Sequence, residues 1–444
     1  MGTLSRISTS LTDFSQRFVP GSFVIALILT ILTFGLGIIF TDSSILSLIQ
    51  FWGNGFWELL SFAMQMCLII VTGYIVAVSP LVSKFLNYLA GLARGPKSSI
   101  LLMVIISLTL SFIHWGLSLV GSAVMVRYIA SKQNKVDYAL LVASAYLGMG
   151  CTWHAGLSGS APLLMATPKN FLEADFGLVP TSQTIFSGFN LILLVFVFVF
   201  LCLFVPQLHP ASGKTRPVQV SFESERVDKS INDKKRAFSD ILDHSPFLSV
   251  LFGALGIIWI LWHFISKKGG LNLDVLNFLF LFLGILLHFR PSSFLKAAEE
   301  GGKLVYGVIL QFPFYAGMFG IIKYSGLAEI VANFFVNISS AKTYPAIVYW
   351  YSGIINYFVP SGGSKWAIEA PYLLSAAHDL GVPYSKVVIS YAWGDMATDL
   401  IQPFWAIPLL SVAKLDFKEI MGYLMLIFAI YWTLVSLVFL LIQF

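Results

Sequence analysis

The stretch from Tyr344 to His378 reads YPAIVYWYSGIINYFVPSGGSKWAIEAPYLLSAAH. Two apolar runs flank the small-residue turn Pro360-Ser361-Gly362-Gly363-Ser364. Each run, at about 12 to 16 residues, falls short of the roughly 20 that cross about 30 Å of hydrocarbon. The pair therefore reads as a helical hairpin, 344–378, that enters the bilayer and leaves on the same side. Residues 98–136 repeat the plan: an apolar run, a break at Gly116, Ser118, Gly121 and Ser122, and a second run ending in Arg127, Lys132 and Lys135. Backbone that leaves the helix at membrane depth is tolerated only where protein buries it or a cavity meets it. The two tips are thus the first candidates for a site.

Working outward, the chain of 444 residues is 57% hydrophobic and only 11% charged, with a mean hydropathy of +0.83. A soluble domain carries about 25% charged residues, so this one lacks the polar surface to face water all round. Barrel strands alternate apolar and polar residues, whereas runs such as Leu191 to Pro206 are continuous. The expected class is an all-α polytopic membrane protein. Full spans read at 20–40, 57–79, 183–206, 246–264, 272–289, 304–323 and 418–442. Broken spans at 138–168 and 386–410 bring the total to about nine, beside the two hairpins. Pro20 to Phe40 reads as a retained first span, with no cleavage site after it. Cys67, Cys151 and Cys202 show neither CxxC nor Cys/His spacing, so no disulfide, metal or cofactor is expected.

The net charge of +5 lies mostly between spans and speaks to topology rather than to nucleic acid. With a cytoplasmic N-terminus, all but seven of the 27 lysines and arginines fall on the inside. The exceptions are Lys169, Lys267, Lys268, Lys323, Lys342 and Lys386 outside, and Lys365 within a hairpin. That bias follows the positive-inside rule. The polar stretch 207–245 reads as a cytoplasmic linker, and 81–94 as an amphipathic interfacial helix.

The linker divides two similar halves. At an offset near 246, Gln65 aligns with Gln311, Ser144 with Ser390, Gly148 with Gly394, and Ala161-Pro162-Leu163-Leu164 with Ile407-Pro408-Leu409-Leu410. Allowing a four-residue gap, Ile113-His114-Trp115 falls on Ile355-Asn356-Tyr357 and Gly121-Ser122 on Gly363-Ser364. Residues 1–206 form the first repeat and 265–444 the second, and the extra span 246–264 turns the second upside down. Inverted repeats whose discontinuous helices meet at the bilayer midplane are the architecture of secondary transporters.

Within this frame Gly121, Ser118, Ser122 and His114 belong to one tip, and Ser361, Gly362, Gly363, Ser364, Lys365 and Trp366 to the other. Glycines permit close approach, and a helix N-terminus with hydroxyls favours an anion. The alternative at both tips is a Gly/Ser kink for helix packing. Lys365 with Glu369, and Asp395 with Asp399, sit four residues apart. A charge at the bilayer centre costs about 2.5–3.5 kcal/mol, so these four require pairing, water or a ligand. Lys365 and Glu369 read equally well as a structural ion pair. A buried Asp399 would mark a cation or proton site, for which Asn356, Asp395, Asp399, Ser158 and Ser160 are the expected ligands. His154 lies in the first break, Ser158, Gly159 and Ser160 follow it, and Gln402 begins the counterpart segment Gln402-Pro403-Phe404-Trp405.

Several motifs then resemble one family over nearly the whole chain. They are Trp52-Gly53-Asn54-Gly55-Phe56-Trp57, Gln65 to Gly73, Phe186-Ser187-Gly188-Phe189-Asn190, Gln311-Phe312-Pro313-Phe314-Tyr315-Ala316-Gly317, Pro360 to Gly363 with Trp366, and Gln402 to Ala406. Together they resemble the bacterial short-chain fatty acid transporters, associated with uptake of acetoacetate, butyrate and similar acids. The resemblance implies an ion-coupled carrier of small organic monocarboxylates in the inner membrane, driven by sodium or protons. It further implies a homodimer whose hairpin-bearing domain moves against a scaffold, and a site at the Pro360 to Gly363 tip, Trp366 and Gln402 to Trp405. Lys365 and Asp399 depart from the family pattern, where an uncharged or histidine side chain and an asparagine are expected, and the two read as a compensating pair. The alternative is a dicarboxylate carrier or antiporter of the same superfamily; two cationic groups converging on the site would favour a dicarboxylate, and only Lys365 is evident. A membrane acyl-transfer enzyme would use His114 or His154 as base but leaves the repeat unexplained, and a passive channel would conduct faster than a carrier turns over.

Overall fold

Continuous apolar sequence gives continuous helix, and some of the Gly, Pro and Ser clusters give the ends. The structure, a computed structural model, describes residues 22–210, 215, 238–358 and 360–442. Arg6, Arg17, most of the 207–245 linker and Val359 at the second tip lie outside them. In chain order the longer helices of the first half are α1 (Ser22–Phe40), α2 (Ile45–Gly55), α3 (Leu60–Val78), α4 (Pro80–Ala90), α5 (Pro96–Ile113), α6 (Trp115–Lys132), α7 (Tyr138–Cys151), α8 (Ser160–Ala166) and α9 (Gly188–Phe204). Those of the second are α10 (Pro246–Ile265), α11 (Leu273–His288), α12 (Pro291–Gly302), α13 (Tyr306–Tyr324), α14 (Leu327–Ile338), α15 (Tyr344–Phe358), α16 (Gly362–Asp379), α17 (Tyr384–Ala397), α18 (Ile407–Ala413) and α19 (Phe417–Leu441). The described residues contain no strand.

Among the described residues, five helices are long and apolar enough to cross a membrane: α3, α5, α9 with its short extension to Leu208, α10 and α19. Helices α12 and α13, bent by 49° at their junction, make a sixth when taken as one span. Four of the five bury well under half of their surface-spanning window inside the protein. Ile192, Val195, Leu203, Ile258 and Leu441 are among the exposed side chains, the composition a lipid-facing surface requires. Helix α7 is the opposite case, since all of its residues from Tyr138 to Cys151 are buried.

Two places differ from the sequence reading. The first break falls at His114, whose backbone is extended (φ −163°) and whose Nδ1 accepts the Leu117 N–H to cap α6. Gly116, Ser118, Gly121 and Ser122 lie inside α6 instead. Their small side chains serve packing: the Ser118 hydroxyl donates to the Ser107 carbonyl at 3.2 Å, and a Cβ on Gly121 would touch Leu110 at 3.0 Å. Small residues let membrane helices approach closely, so they need not break them. The legs of this first pair are also longer than read, since α5 alone is 18 residues and apolar enough to span.

The interior is built on two close helix pairs, α5 with α7 and α15 with α17. Gly148 and Gly394, aligned in sequence, make the contacts possible. A Cβ on Gly148 would lie 2.3 Å from the Ser107 carbonyl oxygen, and one on Gly394 would lie 2.0 Å from that of Tyr349. Hydroxyls tie the same pairs together: Ser107 Oγ donates to the Ala145 carbonyl at 2.7 Å, and Ser352 Oγ to the Tyr391 carbonyl at 3.0 Å.

Candidate functional site

Both broken spans lose helical geometry where they meet the second tip. The first runs from α7 through Thr152–Gly159 into α8, and the second from α17 through a short 3-10 turn into α18. Between them the start of α16 brings Gly362 against both breaks. Its missing Cβ would sit 2.7 Å from Asp395 Oδ2, 2.7 Å from His154 Cε1 and 2.9 Å from Trp153. The tip is held from both sides, since Tyr391 Oη donates to the Gly362 carbonyl at 2.9 Å and Trp405 Nε1 to the Pro360 carbonyl at 2.9 Å.

A buried charged cluster lies behind the tip. Lys365 Nζ forms an ion pair with Asp395 Oδ1 at 2.8 Å, and both side chains are all but inaccessible. Lys365 also donates to the Ser352 carbonyl at 2.7 Å and to Ser352 Oγ at 3.1 Å, and sits 4.7 Å from the centre of the Tyr391 ring. The other Asp395 oxygen meets His154 Nδ1 at 2.6 Å. Because His154 Nε2 accepts the Ala161 N–H at 3.1 Å, Nδ1 carries the ring proton and donates it to Asp395.

Among the described residues Asp399 has no ion-pair partner, and it is surrounded by N–H groups. Trp153 Nε1 donates to one oxygen at 3.0 Å, and Asn356 Nδ2 and Gln402 Nε2 donate to the other at 2.9 and 3.1 Å. Glu369, 3% exposed, has an Oε2 without a hydrogen-bond partner among the described residues. The expected pairings of Lys365 with Glu369 or with Asp399 are therefore replaced by Lys365 with Asp395. The reason is geometric: α16 and α17 pack so that Lys365 reaches across to α17 rather than along its own helix. Fully ionised, the cluster would hold three carboxylates against one ammonium.

Two cavities adjoin the tip. A chamber of about 40 Å³ is lined by Ser361, Gly362 and Gly363 with Trp115, Trp153 and Ser160 among others. A larger one of about 470 Å³ shares Ser361, Trp115, Ile70, Phe312, Val308 and Trp405 with it and extends past Ser364 and Phe404 to Tyr306 and Lys303. Ser361 Oγ and Ser364 Oγ lie 2.7 Å apart at its wall.

The structure thus brings Ser361, Gly362, Gly363, Ser364 and Ser160 to the cavities, and gathers Lys365 with Asp395, and Asn356 and Gln402 with Asp399. Ser158 caps α6 by accepting the Trp115 N–H at 2.9 Å. Trp366 is fully buried against Tyr391, 4.6 Å between ring centres, and lines neither cavity. His114 packs 4.1 Å from the Phe280 ring. Ser118, Gly121 and Ser122 are likewise buried away from both cavities, although Trp115 and Gly116 from the same tip line the larger one. Sequence reasoning missed Ser352, Tyr391 and Trp153 as members of the cluster. Tyr391 stands four residues before Asp395, one turn away on the same helical face, and that spacing was the available signal. Among the described residues no three His, Cys, Asp or Glu side chains converge as a metal site.

A model of the short chain fatty acid transporter family matches residues 3–442. The chain belongs to that family. A relative from Escherichia coli (strain K12), named for short-chain fatty acid transport, is 36% identical over 421 residues, 95% of this chain and 96% of the relative. One of the same description from Haemophilus influenzae is 35% identical over 431 residues, with the same shares covered. In fold the transporter is similar to the Alcanivorax borkumensis YdaH transporter, described as having an unusual topology, with a TM-score of 0.57 at 15% identity and 98% of each chain covered. It is also similar to Neisseria gonorrhoeae MtrF, from a class of antimetabolite efflux pumps, with a TM-score of 0.58 at 16% identity, covering 98% of this chain and 97% of that one. Gly362 has no room for a methyl group where the tip meets the breaks. Gly362→Ala is expected to lower transport about tenfold or more, a cost of at least about 1.4 kcal/mol. Uptake into proteoliposomes checks it, and a wild-type rate would show that the close approach is not used.

Proposed function

We propose that this transporter is a secondary carrier of short-chain monocarboxylates, butyrate and acetoacetate among them, in a bacterial inner membrane with its N-terminus cytoplasmic. The single observation that carries the reading is the tip itself: paired hydroxyls at the start of an 18-residue helix, on the wall of a mainly apolar cavity. The carboxylate is held by Ser361, Ser364 and the first N–H groups of α16, where the helix dipole favours an anion. The short tail lies against Trp115, Trp405 and Phe404. A volume of about 470 Å³ suits a small organic ligand.

Lys365 does not hold the substrate in this reading, because Asp395 and Ser352 already claim its ammonium. The other lysine on the larger cavity, Lys303, is mostly exposed and pairs with Glu300 at 2.6 Å. One binding pole for one carboxylate favours monocarboxylates over dicarboxylates. Lys303 belongs to a segment that the charge bias assigns to the cytoplasm, so the cavity opens inward. Bringing an anion in against the membrane potential costs about 2.3 kcal/mol per 100 mV, so accumulation requires coupling to protons or sodium. The carboxylate-rich cluster is where the coupling charge resides. The repeat-related contacts at Gly148 and Gly394 support two inverted repeats, 1–206 and 265–444. Helices α5 with α6 and α15 with α16 are then their hairpins, moving elevator-like within a homodimer.

Saturable uptake of labelled butyrate or acetoacetate into proteoliposomes under an imposed pH or sodium gradient is expected. No saturable uptake of either acid under either gradient would sink the proposal. Losing a hydrogen bond to a charged group costs about 1.5–3 kcal/mol, so Ser361→Ala with Ser364→Ala is expected to raise KM at least about tenfold. An unchanged KM would place the carboxylate elsewhere.

A further inference from the structure

The surroundings of the Lys365 ammonium are more elaborate than an ion pair requires. Three oxygens of different kinds surround it: the Asp395 carboxylate pairs with it at 2.8 Å, and it donates to the Ser352 carbonyl at 2.7 Å and to the Ser352 hydroxyl at 3.1 Å. The Tyr391 ring face, 4.7 Å away, closes a further side with the attraction an aromatic quadrupole offers a cation. Each of these groups is itself fixed. Ser352 Oγ spends its proton on the Tyr391 carbonyl at 3.0 Å, which turns a lone pair toward Lys365. Tyr391 Oη is anchored on the Gly362 carbonyl, and the second Asp395 oxygen on His154, which is anchored in turn on the Ala161 N–H. Carboxylate, carbonyl and hydroxyl oxygens, here from the two helices α15 and α17, are the ligands hard cations take.

We propose that Lys365 is a tethered cation that permanently fills a monovalent-cation site between α15, α16 and α17, so that sodium does not bind there. The inference deepens the coupling part of the proposed function and rests on it: with this position occupied by a covalently attached charge, the coupling ion is a proton carried elsewhere. Because Lys365 lies directly behind the tip, the charge travels with the tip through the cycle and needs no release. Emptying the position should re-create an ion site, since the oxygens that face Lys365 would then face a void.

The test compares the full-length protein in sodium with the protein in choline, at equal ionic strength and pH. The readouts are the thermal unfolding midpoint in detergent and uptake under a fixed proton gradient. The wild type is expected to give the same midpoint and the same uptake in both salts. Lys365→Ala is expected to lose at least about tenfold of its uptake in choline, about 1.4 kcal/mol. Sodium should then raise its midpoint and return part of the uptake. The double variant Lys365→Ala with Asp395→Asn, which lacks both charges, should ignore sodium. A wild type stabilised by sodium or dependent on it would overturn the proposal, and this arm stands even where Lys365→Ala fails to fold. A folded Lys365→Ala that is indifferent to sodium would overturn it equally. The midpoint needs no substrate, so a wild type that carries neither acid would sink the transport reading and leave this test intact.

Discussion

Asp395→Asn is expected to abolish uptake, lowering it by about a hundredfold or more, about 2.8 kcal/mol, and to destabilise the fold by about 3–5 kcal/mol, the usual cost of breaking a buried ion pair from one side. The substitution is nearly isosteric, so lost packing does not explain the effect. One carboxylate oxygen holds Lys365 at 2.8 Å and the other holds His154 at 2.6 Å. Whichever way the new amide turns, its NH2 group faces either the Lys365 ammonium or the His154 ring N–H, donor against donor. Turning the amide cannot satisfy both, and the buried ammonium loses its ion-pair partner. Asp379→Asn, on an exposed residue at the end of α16, provides the comparison and should shift stability by no more than about 0.5 kcal/mol. Unfolding midpoints in detergent together with uptake decide the matter. A variant with near-native midpoint and uptake would show that Asp395 does not hold the cluster together.

Gly394→Ala and Gly148→Ala should both fail at an earlier stage. The added methyl would meet a backbone carbonyl at 2.0 Å in the first case and 2.3 Å in the second, and backbone, unlike a side-chain end, cannot turn aside. Helices α15 and α17, or α5 and α7, would have to separate along their length. Overpacking costs about 1–3 kcal/mol and occasionally more, and a main-chain clash at this distance falls at the upper end. The separation would also break the Ser352 to Tyr391 or Ser107 to Ala145 hydrogen bond. Gly422→Ala is the control, since nothing lies within 4 Å of its added Cβ. Folded yield and unfolding midpoint should fall sharply for the first two and stay level for the third. A stable Gly394→Ala would disprove the close packing of α15 on α17.

The sequence made the second tip legible because Pro360, Ser361, Gly362 and Gly363 resist helix by composition, and the structure places the start of α16 at Gly362. It misplaced the first tip for the same reason. Gly116, Ser118, Gly121 and Ser122 are also poor helix formers in water, yet α6 runs through them because in a bilayer every backbone group must be bonded internally. The break went to His114, whose ring caps the next helix. The buried charges were legible as a problem, since four of them stood close together at membrane depth. Their pairing was not legible. The residues that answer Lys365 stand 13 and 30 positions away by their numbering, and those that answer Asp395 and Asp399 include Trp153 and His154 from the other half. Such distances are set by how the helices pack, which no local pattern encodes.

The bonds between His154 and Asp395, between Trp153 and Asp399, and between Asn190 and Trp393 all join residues before the linker to residues after it. During synthesis the first half enters the membrane with the His154 ring N–H, the Trp153 indole N–H and the Asn190 side-chain oxygen still lacking the partners that the second half supplies. The second half brings Asp395, Asp399 and Trp393, each short of one partner until the first half is met. Neither half is a finished object. Assembly is completed only when the halves dock, and a chain cut within 207–245 should still assemble when both pieces are made in one cell, while either piece alone is left for degradation.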